Sequence, residues 1–175
     1  HSKKDKSLEG ILAKNCMFRI NRDVRFSKDK SPYKTNFGAY INKGGKKATS
    51  GGYYFHLEPG QIFAGGGMYM PMPDELNKVR QEIDYNLKEF KKILSAPKFK
   101  TIYGGLSMDG EYSLSRVPKG YEAGNPAAEY LKLKSFIAIT NIDDKTARSP
   151  DLEKKVLTAF EALQPLISFL NHSIS

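Results

Sequence analysis

Six cations stand among aromatic residues between Cys16 and Tyr40: Arg19, Arg22, Arg25, Lys28, Lys30 and Lys34, interleaved with Phe18, Phe26, Tyr33 and Phe37. Guanidinium forks and ammonium charges suit phosphate or carboxylate, and the Tyr33 hydroxyl adds a donor beside them. These cations with Tyr33 form the candidate anion-binding set. For proton chemistry the candidates are His56, Glu58 and Asp23. His56 and Glu58 are two apart, so they share one face of an extended strand. That spacing allows an acid-base pair, but it fits a hydrogen-bonded structural His on a sheet edge better. Asp23 lies between Arg19 and Arg25 and is expected to pair with them.

Charge is segregated along the chain. Residues 1–50 hold 13 Lys or Arg against 4 Asp or Glu, whereas residues 51–175 hold 15 of each. The whole net charge of +9 therefore belongs to the first 50 residues. Such a field attracts anions, whether phosphorylated or carboxylate metabolites, nucleic acid or an acidic partner. No metal-ligand spacing, nucleophile elbow or phosphate loop accompanies it, so neither a metal nor a cofactor is expected. The Gly-rich stretch INKGGKKATSGG lacks the Gly-Lys-Ser/Thr ending and the following helix of a P-loop, and reads as a hairpin tip.

The cations need elements to position them. From Met17 to Phe26 the residues alternate, with Phe18, Ile20, Val24 and Phe26 on one side and Arg19, Asn21, Asp23 and Arg25 on the other. This predicts a strand, with Arg22 falling on its apolar face. A buried guanidinium requires a carboxylate or a bound anion. SKDKSPYK then reads as a loop, because Pro32 keeps Ser31 out of helical geometry and Ser27, Asp29 and Ser31 favour turns.

Residues 53–70 read as two antiparallel strands joined by a type II turn at Glu58-Pro59-Gly60-Gln61, which sets Leu57 opposite Ile62 and His56 opposite Phe63. Within them, Ala64-Gly65-Gly66-Gly67 marks a bulge or a close backbone approach. Leu76, Val79, Ile83, Leu87, Phe90 and Leu94 form one helical stripe, predicting a helix over about 74–94 that Pro97 stops. TIYGGLSM reads as a strand, with Asp109-Gly110 a hairpin turn before EYSLSRVP. Asn125 and Pro126 open a further helix, after which LKLKSFIAI fits helix or strand. Ser149-Pro150 opens a last helix over about 150–172, with Leu152, Val156, Phe160, Leu163, Ile167 and Leu170 as its stripe and a kink at Pro165.

Strands grouped by hairpin turns, with helices at intervals, predict an α+β fold: an antiparallel sheet packed against amphipathic helices. No apolar run approaches the length of a membrane span, so no membrane partner is expected. Cys16 is the only cysteine, which rules out an intramolecular disulfide and points to a buried thiol and a cytoplasmic setting.

FRINRDVRFSKDKSPYKTNF, GGYYFHLEPG followed by GGGMYMP, KVRQEID and LSRVPKGY together resemble the conserved uncharacterised family known as domain of unknown function 2461. The resemblance runs from Cys16 to Leu170 and implies no particular reaction. Its pattern falls on Arg19, Arg22, Asp23, Arg25, Phe26, Asp29, Lys30, Pro32, Tyr33 and Lys34. It also implies an N-terminal helical segment with a Trp-Phe pair, which the residues before Cys16 do not carry. The expectation is one domain over residues 3–175 without that segment. Its leading function is binding a small phosphate or carboxylate, with or without catalysis. The alternatives are a non-catalytic nucleic-acid module and a structural or partner-binding domain with internally paired arginines.

Overall fold

The computed structural model describes residues 5–175 except Val24, Ser27, Asp29, Lys46 and Lys47. The expected places of Val24 on a strand, of Ser27 and Asp29 in a turn, and of Lys46 and Lys47 in the Gly-rich loop thus lie outside the described residues. Among those described, a four-stranded antiparallel sheet runs in the order β1 (Phe37–Ile41), β2 (Gly52–Glu58), β3 (Gln61–Met68), β4 (Phe136–Asn141). The fold is α+β, as the turn and stripe pattern requires.

The β2–β3 hairpin is the centre of the sheet. Leu57 pairs with Ile62 and His56 with Phe63, and Gly60 takes a φ of 77° at the turn. The register then runs unbroken through Gly65, Gly66 and Gly67, without a bulge. The glycines serve close approach instead: a Cβ on Gly67, whose φ is 123°, would meet the Phe136 carbonyl oxygen at 2.0 Å. The Gly-rich stretch after β1 is the tip of the β1–β2 hairpin, closing just beyond the Ile41–Tyr53 pair.

Alternation along β2 and β3 splits the sheet into two faces. Tyr53, Ala64 and Met68 are fully buried beneath the terminal helix, here α7 (Asp151–Ser173), whose Phe160, Leu163, Ile167 and Leu170 form its buried stripe. The Tyr53 and Phe160 rings lie 5.1 Å apart, a pairing worth about 0.5–1.5 kcal/mol beyond the area it buries. Pro165 falls inside α7, which continues to Ser173.

Three expectations are corrected. First, the 74–94 helix divides at Asn86 into α2 (Pro73–Tyr85) and α3 (Leu87–Ser95). Asn86 has φ −114° and ψ 35°, and its side-chain amide donates to Glu82 Oε1 at 2.8 Å. The stripe survives the break, with Val79, Ile83 and Phe90 all fully buried.

Second, residues 101–108 form no strand. Thr101–Tyr103 complete α4 (Pro97–Tyr103), for which Pro97 supplies the first residue. Phe99, Ile102 and Tyr103 meet the core at helical spacing, and the Tyr103 hydroxyl donates to the Ala159 carbonyl at 2.8 Å. The Asp109 turn is present, closed by Tyr112 N–H to the Asp109 carbonyl. The chain after it lies against residues 132–134, through the Ser113–Leu133 bridge, rather than against 101–108. Beyond the short α5 (Ala128–Leu131) the LKLKSFIAI segment enters β4.

Third, the described residues of Met17–Phe26 form no strand. The segment touches β1 at one bridge, Met17–Ala39, then leaves the sheet edge and pairs back on its own chain through Asn21–Tyr33. Without a continuous ladder the described residues of its apolar face stay exposed: Phe18, Ile20 and Phe26 are 40%, 46% and 95% exposed. Arg22 is half-buried, so the argument from an enclosed charge does not hold. Cys16, at the end of the one-turn α1 (Ala13–Cys16), is buried as a free thiol.

Replacement of Gly67 by Ala adds a Cβ against backbone at a φ that side chains rarely adopt. Urea unfolding is expected to show a loss of about 2–4 kcal/mol with an unchanged m-value.

Candidate functional site

The face of the sheet turned away from α7 is only partly covered. Tyr54, His56 and Glu58 alternate onto it from β2, and the register sets Tyr40 and Gly65 beside Tyr54, with Gly38 and Phe63 beside His56. Ile137 and Ile139 extend the face on β4, opposite Gly67 and Gly65. A cavity of about 550 Å³ opens here. Its walls include the rings of Phe18, Tyr40, Tyr54, Phe63, Tyr69 and Tyr112, and its floor is Gly65–Gly67, where no side chain rises. At the rim, Met70 holds a positive φ of 43° and its N–H donates to the buried Ser135 hydroxyl at 2.9 Å. A strained backbone fixed by a buried partner is a common feature of ligand sites.

A hydrogen-bonded line runs along β2 on this face. The Tyr54 hydroxyl lies 3.1 Å from His56 Nδ1, and His56 Nε2 lies 3.2 Å from Glu58 Oε2. Thr35 closes the line by donating to Glu58 Oε1 at 2.6 Å. The bond from Thr35, and then that from His56, hold the Glu58 carboxyl below the usual carboxylate range. Burial raises the Tyr54 phenol above its ordinary value. The His56 ring is 7% exposed and stacks on Phe63 at 4.7 Å and 11°. His56 thus sits on an interior strand, not at the sheet edge that its sequence pattern also allowed.

Thr35 also borders a second concavity, of about 400 Å³, lined by Arg22, Asp23, Lys34, Thr35 and Asn36. Two backbone bonds build it: Arg22 N–H to the Pro32 carbonyl at 3.0 Å and Lys34 N–H to the Ile20 carbonyl at 2.8 Å. They bring two cations twelve residues apart to one place. Arg25 binds Asp23 through two side-chain bonds, at 2.9 and 2.7 Å, which lowers the Asp23 carboxyl below its ordinary range. Both partners are exposed, and such a pair contributes little to stability.

The candidate residues are therefore brought together only in part. Arg22 and Lys34 meet, with Asp23 beside them. Tyr33 lies next to Lys34 at the Asn21 bridge, 60% exposed. Arg19, Lys28 and Lys30 are exposed and do not line the concavity, and Arg25 is turned to Asp23. His56 and Glu58 lie within hydrogen-bond distance of each other. Tyr54 and Thr35, absent from the sequence candidates, complete the line. The signal for Tyr54 was present, since Tyr-x-His-x-Glu places three groups on one strand face.

A larger concavity of about 880 Å³ lies around Pro97 and Pro165, lined by surface positions of α3 such as Lys88, Glu89 and Lys92. It lacks the hydrogen-bonded line of the sheet face. Among the described residues, no cluster of three or more His, Cys, Asp or Glu could hold a metal ion. Nor is any helix long and apolar enough to cross a membrane.

The fold and its open face define an α+β domain with one side of its sheet buried by helix and the other carrying an aromatic cavity. The chain belongs to the conserved hypothetical protein family DUF2461, whose pattern matches residues 1–169. No curated protein and no solved structure matches the chain significantly.

The Glu58 carboxyl is lowered in the folded state, so its stabilisation is fully present above the unfolded value of about 4.3 and is lost as pH falls through the lower folded value. In urea titrations at successive pH values, Glu58→Gln should therefore show a shallower acid-side loss of stability than the wild type. Parallel curves would separate Glu58 from His56 and Thr35 in solution.

Proposed function

We propose that the domain binds a small anion, a phosphate or carboxylate group, between the residue 20–22 and 32–36 segments. The observation that carries this reading is that Arg22 and Lys34 line one polar concavity with the Thr35 hydroxyl and the Asn36 amide. A guanidinium, an ammonium and a side-chain amide supply donors for tetrahedral or planar oxyanions. Arg25 engages the nearby Asp23 carboxylate and so reduces its repulsion of an incoming anion. The positive balance of the first 50 residues adds a field that favours anion approach.

Binding of single-stranded nucleic acid is the second reading, favoured by the exposure of rings among the cations. Phe26 is 95% exposed, with the Arg25 guanidinium 5.9 Å from its ring centroid, and Phe37 is 60% exposed. Such rings can stack on bases while the cations meet phosphates.

Thermal-shift measurements at fixed ionic strength distinguish the two. Inorganic phosphate, sugar phosphates, nucleotides and carboxylate metabolites are compared with short DNA and RNA strands. A saturable rise with one small anion, lost in Arg22→Ala and in Lys34→Ala, is the expected result. Each substitution by itself should change stability by less than about 1 kcal/mol, as for exposed or half-buried surface positions. A rise only with DNA or RNA that fades steeply with salt supports the second reading. No rise with any of them rejects both.

A further inference from the structure

We propose that Tyr54, His56 and Glu58 form a proton relay that opens into the sheet-face cavity and acts as a general base on a flat aromatic molecule bearing a hydroxyl group. The inference stands apart from anion binding, because it uses different residues and a different concavity.

The direction of the relay follows from its bonds. The Glu58 carboxylate can only accept, so the 3.2 Å contact makes His56 Nε2 the donor. In the neutral ring Nδ1 is then an acceptor, and the 3.1 Å contact makes the Tyr54 hydroxyl its donor. With its proton directed to His56, the Tyr54 oxygen keeps lone pairs for a ligand. The Tyr54 and Phe18 rings, which both line the cavity, lie 6.3 Å apart edge to face, and a Cβ on Gly38 would stand 3.0 Å from the Tyr54 oxygen. The glycine opposite His56 thus leaves the oxygen its space.

The cavity indicates what reaches that oxygen. A volume of about 550 Å³ suits a small organic molecule. Aromatic walls and a floor of glycine backbone favour a flat ring, which can lie on Gly65–Gly67 beside Ile137 and Ile139. In the proposed step the ligand O–H proton passes to Tyr54 Oη as the Tyr54 proton passes to His56 Nδ1. The ligand becomes an oxyanion, Tyr54 is unchanged, and the new imidazolium is balanced by Glu58. No heavy-atom bond forms or breaks and no co-reactant is needed. Tyr54 is the catalytic residue, because it touches the ligand. His56 receives the proton through it, and Glu58 positions His56.

The test uses 4-nitrophenol, whose absorption spectrum separates phenol from phenolate, at a fixed pH where the free probe is mostly protonated. The wild-type protein is expected to bind it saturably and to show the phenolate band in the bound form. Tyr54→Phe should bind the ring without that band. Glu58→Gln should lower the ratio of bound phenolate to bound phenol about tenfold, the effect of one charge-assisted hydrogen bond on His56. Ile139→Trp, which fills the cavity from a 37% exposed position, should abolish binding. Lys92→Ala, at the separate concavity around Pro97, should leave both binding and band intact. Absence of saturable binding, a bound probe with its free spectrum, or a phenolate band that persists in Tyr54→Phe would overturn the proposal. So would loss of the band in Lys92→Ala.

Discussion

The period-two alternation of the β2–β3 hairpin is the constraint on which the rest depends. Because successive side chains point to opposite faces, the strand that sends Tyr53 into the core must send Tyr54, His56 and Glu58 out of it. A slip of one residue would bury the His and the carboxylate under α7 and expose the Tyr53 ring that packs on Phe160. The register is therefore held by hydrophobic burial on one side, and the polar line on the other side is fixed by it. The tight turn at Pro59-Gly60 and the backbone contact at Gly67 hold the same register from its two ends.

The two concavities are joined through this line. Thr35 borders the polar one and bonds Glu58, Glu58 meets His56, and His56 meets Tyr54 at the wall of the aromatic cavity. Three hydrogen bonds thus connect the border of the polar concavity to the wall of the aromatic one. The cations lie in a segment outside the sheet ladder, whereas His56 is stacked and nearly buried on an interior strand. The His56 ring is therefore held by its strand and its stack, whereas Arg22 and Lys34 sit on a segment without a sheet ladder.

How much of this was legible in the sequence depended on whether local signals agreed with their surroundings. The hairpin register, the α7 stripe and the pairing of His56 with Glu58 followed from alternation, turn residues and helical spacing, because the folded chain uses each as read. The Met17–Phe26 segment alternates as cleanly, but alternation makes a strand only where a neighbouring strand supplies a ladder. That segment leaves the edge after one bridge. Pro97 stops one helix as its sequence indicates but also begins another, and the stripe through Phe99, Ile102 and Tyr103 was hidden by its β-favouring residues. Tyr54 was visible as a neighbour of His56 on the strand face, but its hydroxyl geometry depends on the space left by Gly38, a tertiary contact with no local signal.

The protonation state of His56 is the most direct check on the polar line, and the sequence contains only two other histidines, His1 and His172. A long-range proton–nitrogen correlation spectrum of the imidazole ring, recorded at neutral pH without ligand, reports which nitrogen carries the hydrogen. A single tautomer protonated at Nε2, with Nδ1 showing the shift of a hydrogen-bonded acceptor, is the predicted result. A ring protonated at Nδ1, or one averaging between tautomers as an exposed histidine does, would contradict it.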